Sequence, residues 1–205
     1  FVYYYRLPPP RRRKTVRGFY FLTMDRALII IDGSNFYHRL KEAELHSLLS
    51  FGYNAFATFL TRGHLLVSAR YYIGAIREEQ GNEKSRKLMS NQRKLSGFLK
   101  KSGFEVCFGD LLKNDGVYHE KGVDVRMAVD LLVGAYENLY DIAIIVSSDT
   151  DLIPAIMKVR SMGKKVEYVG FSHKPSHALI THSDIRRLLS KEDLEQFILE
   201  KEGII

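Results

Sequence analysis

Short runs of β-branched and aliphatic residues alternate along this chain with longer stretches in which apolar residues recur every three or four positions. Ala27–Ile31, Val67–Ile76, Phe104–Phe108, Ile142–Val146 and Lys164–Val169 are the short runs, and each reads as a strand. Helical spacing extends over Asn35–Ser50 (Phe36, Leu40, Leu45, Leu48, Leu49) and, after a break at Gly52, over Ala55–Leu60. Lys84–Lys101 is an amphipathic helix with Leu88, Leu95, Phe98 and Leu99 on its apolar face, stopped at Gly103. Asp124–Leu139 is a further helix, with Val125, Ala128, Val129, Leu132 and Val133 as its expected buried set. Leu152–Met162, Pro175–Thr181 and Leu188–Glu202 complete the helices, while Glu78–Asn82 and Lys113–Gly122 read as polar loops. Strands alternating with helices predict βαβ units and a mainly parallel sheet. With no repeat and no interior linker, one domain is expected over residues 25–205.

Composition changes this picture at one end only. The net charge of +7 invites a nucleic-acid reading, but Arg6, Arg11, Arg12, Arg13, Lys14 and Arg17 supply six of those charges, leaving +1 for residues 24–205. Met24 directly precedes the first strand, so residues 1–24 are expected to be a non-native, tag-like or disordered basic extension. A basic arm for RNA or an acidic partner is the competing reading. The single Cys107 excludes a disulfide framework within the chain and a cysteine zinc site, and fits a reducing, cytoplasmic setting with Cys107 as a small core residue. No apolar run is long enough to span a bilayer, so no membrane partner is expected.

The chemistry lies at strand ends. The Ile142–Val146 run is followed by Ser147-Ser148-Asp149-Thr150-Asp151, and the first strand by Asp32-Gly33-Ser34-Asn35. In an open α/β sheet, ligands bind outside the carboxyl ends of the strands. Acids gathered there repel one another unless something positive lies between them, and a divalent cation is the obvious candidate. Asp124, at a helix start, is a third member or merely a helix cap. Asp32 could equally start an Asx turn, and Asp151 could cap the helix that follows it. Asp130, six residues beyond Asp124, falls on another helical face and reads as structural. The histidines show no metal-ligand spacing. Lys84, Arg86, Lys87, Arg93, Lys94, Lys100 and Lys101 form a basic helix face, either solvated or a track for a nucleic-acid backbone. Tyr71 and Tyr72 point to opposite faces of their strand, which favours core packing for both.

These motifs resemble a family. Asp32-Gly33-Ser34-Asn35-Phe36, Lys121-Gly122-Val123-Asp124-Val125 with Asp130, and Ser147-Ser148-Asp149-Thr150-Asp151-Leu152-Ile153-Pro154 look like the three motifs of NYN domains, the LabA-like branch of the PIN-like nuclease superfamily. Gly163-Lys164-Lys165-Val166 and Ser183-Asp184 resemble later positions, so the likeness runs from about Ala27 to about Leu189. The resemblance implies a three-layer α/β/α PIN-like (Rossmann-like) fold, with Asp32, Asp124, Asp149 and Asp151 clustered at one end of the sheet. It implies Mg²⁺ or Mn²⁺ on those four acids and hydrolysis of RNA phosphodiester bonds, leaving a 5′-phosphate and a 3′-hydroxyl. Asn35, Ser148 and Lys121 are then the expected substrate contacts. An RNA- or protein-binding regulatory module with little catalysis is the alternative, and a homo-oligomer or protein partner is left open. A haloacid-dehalogenase-like phosphatase is disfavoured, because that chemistry wants its paired acids after the first strand.

Overall fold

In the computed structural model the apolar runs line up as one parallel sheet. The structure describes residues 24–45, 48–76, 82–114 and 117–199, and over 110–121 the backbone alone. The expectations for residues 1–23, for the loop from 78 to 81 and for a helix reaching 202 lie outside the described residues. In chain order the elements are β1 (Arg26–Asp32), α1 (Gly33–Glu42), α2 (Tyr53–Thr61), β2 (Leu65–Ile73), α3 (Glu83–Lys101), β3 (Glu105–Phe108), β4 (Asp110–Asn114) and β5 (Val117–Lys121). They continue with α4 (Val123–Tyr136), β6 (Ile142–Val146), α5 (Ile153–Ser161), β7 (Lys165–Phe171), α6 (His177–His182), β8 (Ile185–Leu189) and α7 (Lys191–Glu195).

The central sheet has six strands in the order β3-β2-β1-β6-β7-β8, every pair parallel. The chain builds outward from β1 to β3, then returns to lay β6 on the other side of β1. The β1–β6 boundary is therefore the point where the winding reverses.

Alternate strand residues feed two cores. Ala27, Ile29, Ile31, Tyr71, Ile144 and Val146 pack toward α1, α2, α3 and α7. Leu28, Ile30, Tyr72, Ala143, Ile145 and Tyr168 pack toward α4, α5 and α6. Both faces are covered, which is why the strands read as continuous apolar runs rather than alternating ones. The three-layer α/β/α expectation is what the structure shows, and Tyr71 and Tyr72 are fully buried on opposite faces. Cys107 is buried in the second core.

Several local expectations are corrected. The first helix stops at Glu42 rather than Ser50, with Glu44 in a left-handed conformation and a separate 3-10 turn at Leu48–Ser50. The polar loop expected over 113–122 contains half of an antiparallel hairpin, β4 with β5. Residues 185–189 form a sixth sheet strand where a helix starting at Leu188 was expected. Its inward residues are Arg187 and Leu189, and because the first is an arginine whose partner Glu167 lies on β7, alternating apolar residues do not mark the strand.

Of the set expected to be buried on α4, Ala128 and Leu132 are partly buried against the second core, but the three valines are not. Val123, Met127, Leu131, Gly134 and Ala135 are buried, while Val125, Val129 and Val133 are exposed. Gly134 gives the Tyr140 ring room that a Cβ would occupy, so the flat side of the helix is the packed side. On α3, Leu95 and Leu99 are buried as expected, but Leu88 and Phe98 are exposed. No helix among the described residues is long and apolar enough to cross a membrane.

Candidate active site

Strands β1 and β6 run side by side with Ile31 opposite Val146, so Asp32 and Ser147 leave the sheet together. The Ser147 hydroxyl, itself buried, donates to Asp32 Oδ2 at 2.9 Å and accepts from the Asp149 amide at 3.0 Å. Asp32 Oδ1 accepts from the Asn35 amide at 3.0 Å and caps α1. Where the sequence offered an Asx turn, one oxygen of Asp32 caps a helix, without removing the carboxylate from the cleft. Gly33 permits this geometry: a Cβ there would collide with the Tyr71 ring, the Ile73 side chain and the Tyr72 carbonyl.

Asp149 Oδ1 accepts from the Asp151 amide at 2.9 Å and caps the 3-10 turn at Thr150–Leu152. Helix α5 has no side-chain cap, so Asp151 does not cap it. Asp151 itself is exposed. The third carboxylate comes from the first turn of α4. Gly122, at φ +85°, redirects the chain from β5 into that helix, in a conformation that L side chains rarely adopt. The N-terminus of α4 has no side-chain cap, so Asp124 is not held as one.

One oxygen each from Asp32, Asp124 and Asp149 lies within 4.8 Å of the others. Among the described residues no other such group of acids, histidines or cysteines occurs, and Asp151 is not part of it. Burial raises the Asp32 carboxyl above its ordinary range, with Asp149 adding to the rise, against the opposing bonds from Asn35 and Ser147. Asp124 is raised first by its partial desolvation and then by the charges of Asp149, Asp32 and Asp151. Three carboxylates held so close favour a shared proton or a cation between them.

The cluster floors an open cleft of about 740 Å³ that is also lined by Ser34, Asn35 and His38. Asn35 Oδ1, beside the cleft, and Ser148 Oγ are buried without a hydrogen-bond partner among the described residues, which is unusual for such atoms. Lys121 ends β5 opposite Asp110, and its side chain lies outside the described residues. Asp130 belongs elsewhere: it accepts from Tyr72 Oη at 2.7 Å and pairs with Arg70 at 3.1 Å, clamping α4 to β2. Sequence reasoning missed Ser147 as the tie between two acids, and also Ser34 and His38. His38 follows Asn35 by three residues on α1, and that spacing was the available signal.

A family profile described as the NYN domain matches residues 26–188. The chain belongs to the NYN domain family. The likeness read from three motifs therefore holds at the level of the family, and the three-layer α/β/α fold expected with it is the one described above. Among solved structures this NYN domain is similar to a protein of unknown function from Vibrio parahaemolyticus RIMD 2210633, at 25% identity and a TM-score of 0.65, covering 83% of this chain and 96% of that one. It is more distantly similar to the T5 5′-exonuclease with zinc bound, at 17% identity and a TM-score of 0.39, covering 70% of this chain and 55% of that one. A bacteriophage T5 flap endonuclease complexed with DNA and metal ions is similar at 18% identity and a TM-score of 0.35, over 61% and 50% of the two chains. No curated protein matches the chain significantly.

Proposed function

We propose that this NYN domain is a ribonuclease that hydrolyses RNA phosphodiester bonds with Mg²⁺ or Mn²⁺ held by Asp32, Asp124 and Asp149. The observation that carries the reading is the convergence of three carboxylates, from three separate elements, to within 4.8 Å beside the winding reversal of a parallel sheet. Capping accounts for Asp32 and Asp149, but folding gives no reason for the third acid, since Asp124 caps nothing and its charge is opposed by its neighbours. The donor set is all oxygen and all acidic, which suits a hard divalent cation. Such an ion, when bound, lowers the pKa of a water and offsets negative charge on the scissile phosphate.

The residues of the chain do the positioning. Asp32 is fixed by the Asn35 amide and the Ser147 hydroxyl, so its carboxylate does not need to reorganise when charge arrives. Ser147 carries the same restraint to the Asp149 backbone. The Asn35 amide group and the Ser148 hydroxyl have capacity to orient a phosphate. Lys121 would add positive charge from the end of β5, and Asp151 would act from outside the cluster through a water. The expected products carry a 5′-phosphate and a 3′-hydroxyl.

The test is cleavage of single-stranded RNA by the purified protein in Mn²⁺ or Mg²⁺. Asp149→Asn is expected to lose about 10²-fold or more in kcat/KM while keeping its circular dichroism spectrum. Equal rates for variant and wild type would refute the site. A wild type that binds RNA without cutting it would make the protein a binding module.

A further inference from the structure

A second cavity adjoins the acidic cleft. It has a volume of about 480 Å³, lies between α1, α3 and the end of β2, and shares Ser34 with the cleft. Its walls are Tyr37, Leu49, Tyr71, Ile73, Leu88 and neighbouring apolar groups, and no charged residue is among the described ones that line it. Two of its large side chains face solvent in the protein alone, Tyr37 at 41% exposure and Leu88 at 45%. Exposed apolar groups at the mouth of a formed cavity favour a ligand that covers them.

The polar groups of this cavity are few and differ in availability. The Gln92 amide accepts from Ile76 N at 2.9 Å and donates to the Gly74 carbonyl at 2.5 Å, so it holds the exit of β2 in place. Asn91, the residue before it, is exposed on the rim and can donate and accept. Lys87 and Lys94 stand one turn before and one turn after Asn91 on α3, and Lys84 one turn before Leu88; all three are exposed. The surroundings thus combine an uncharged apolar slot, one amide, a row of cations beside it and a candidate phosphodiester site next door. A flat, uncharged, hydrogen-bonding group joined to a phosphate backbone satisfies all four.

We infer that the α1–α3 cavity is a nucleobase subsite. It takes the base of one nucleotide of a single-stranded chain whose neighbouring phosphodiester lies at Asp32, Asp124 and Asp149. The inference rests on the ribonuclease reading above and narrows its substrate to strands whose bases can leave the stack. Tyr37 and Leu88 cover the faces of the base, Asn91 meets its edge, and Lys84, Lys87 and Lys94 follow the backbone. Stacking of this kind tolerates many sequences, because every base has a π-face.

The experiment is an abasic scan. A short single-stranded RNA carries one abasic nucleotide, moved stepwise along the strand, and kcat/KM is measured in Mn²⁺ for each. One position next to the cleavage point is expected to lose about ten- to a hundred-fold, and the others less than about twofold. In Leu88→Asp and in Tyr37→Ala, both changed at exposed positions, intact RNA is expected to fall to the rate of that abasic strand. The positional dependence then disappears. A flat wild-type profile, or variants that keep the dependence, would overturn the subsite and leave the ribonuclease reading standing. Failure of the wild type to cut any of the strands would overturn both.

Discussion

At the scale of single residues, the site is held by few atoms. Three carboxylates lie together against their charge, and a carboxyl whose pKa is raised by folding contributes stability only below its ordinary range, losing it as pH rises. Asp124→Asn is therefore expected to stabilise the metal-free fold at neutral pH by about 0.5–1 kcal/mol. The same variant should lose most of the rise in Tm that Mn²⁺ gives the wild type, which differential scanning fluorimetry measures directly. Ser147→Ala has the opposite sign. It removes a donor from the buried Asp32 and an acceptor from the Asp149 amide, and is expected to cost about 1–3 kcal/mol in chemical denaturation. Activity is expected to fall about tenfold, because Asp32 loses its orientation rather than its charge.

At the scale of elements, the join between α2 and the β7–β8 edge depends on one buried ion pair. The Arg187 guanidinium reaches Glu167 Oε1 at 2.6 and 2.7 Å, and donates to the Phe59 and Leu60 carbonyls at 3.1 and 3.0 Å. Both side chains are almost fully buried. Arg187→Met leaves Glu167 unpaired in the core and is expected to destabilise by about 3–5 kcal/mol. Adding Glu167→Leu should recover at least half of that, measured by urea denaturation, since an apolar pair of similar volume removes the desolvated charge. The element reading from sequence failed at this place for the same reason. An inward arginine is uninformative until the strand that carries its partner is adjacent. The hairpin β4–β5 was also missed, although Asp115-Gly116 between the two segments is a recognised hairpin signal.

At the scale of the whole molecule, the two ends of the sheet have different electrostatics. Opposite the acidic cleft, the Arg26 guanidinium grips Asp141 at 3.0 and 3.1 Å, and the Arg26 amide donates to the same carboxylate, pinning the start of β1 to the entry of β6. The Arg26 side chain holds the Asp141 carboxyl down to about 2. A lowered carboxyl pKa stabilises the fold above its ordinary value and is lost as pH falls toward the folded one, here between about pH 4 and pH 2. Both side chains are about one-third exposed, so Asp141→Asn is expected to cost only about 1 kcal/mol at pH 7. The difference from wild type should narrow below pH 4 in denaturation titrations, and a gap independent of pH would show that packing rather than charge is responsible.

The sequence by itself determined β1, β2, β3, β6 and β7 and the helices between them, because burial on both faces of a parallel sheet turns each of these strands into a continuous apolar run, whereas β4, β5 and β8 were not read as strands. It also placed Asp32 and Asp149 at strand ends, because an acid that directly follows such a run has to emerge at the carboxyl edge. Tertiary structure decided the rest. The valines of α4 and its Met127–Leu131 stripe both satisfy a 3.6-residue period, and the buried one is the stripe that packs into the second core, where Gly134 leaves room for the Tyr140 ring. That choice of face carries Asp124 toward the cleft, while Asp151, two residues from Asp149, stays outside. A carboxylate cluster is a property of elements brought together across crossovers, and spacing within one segment does not contain it.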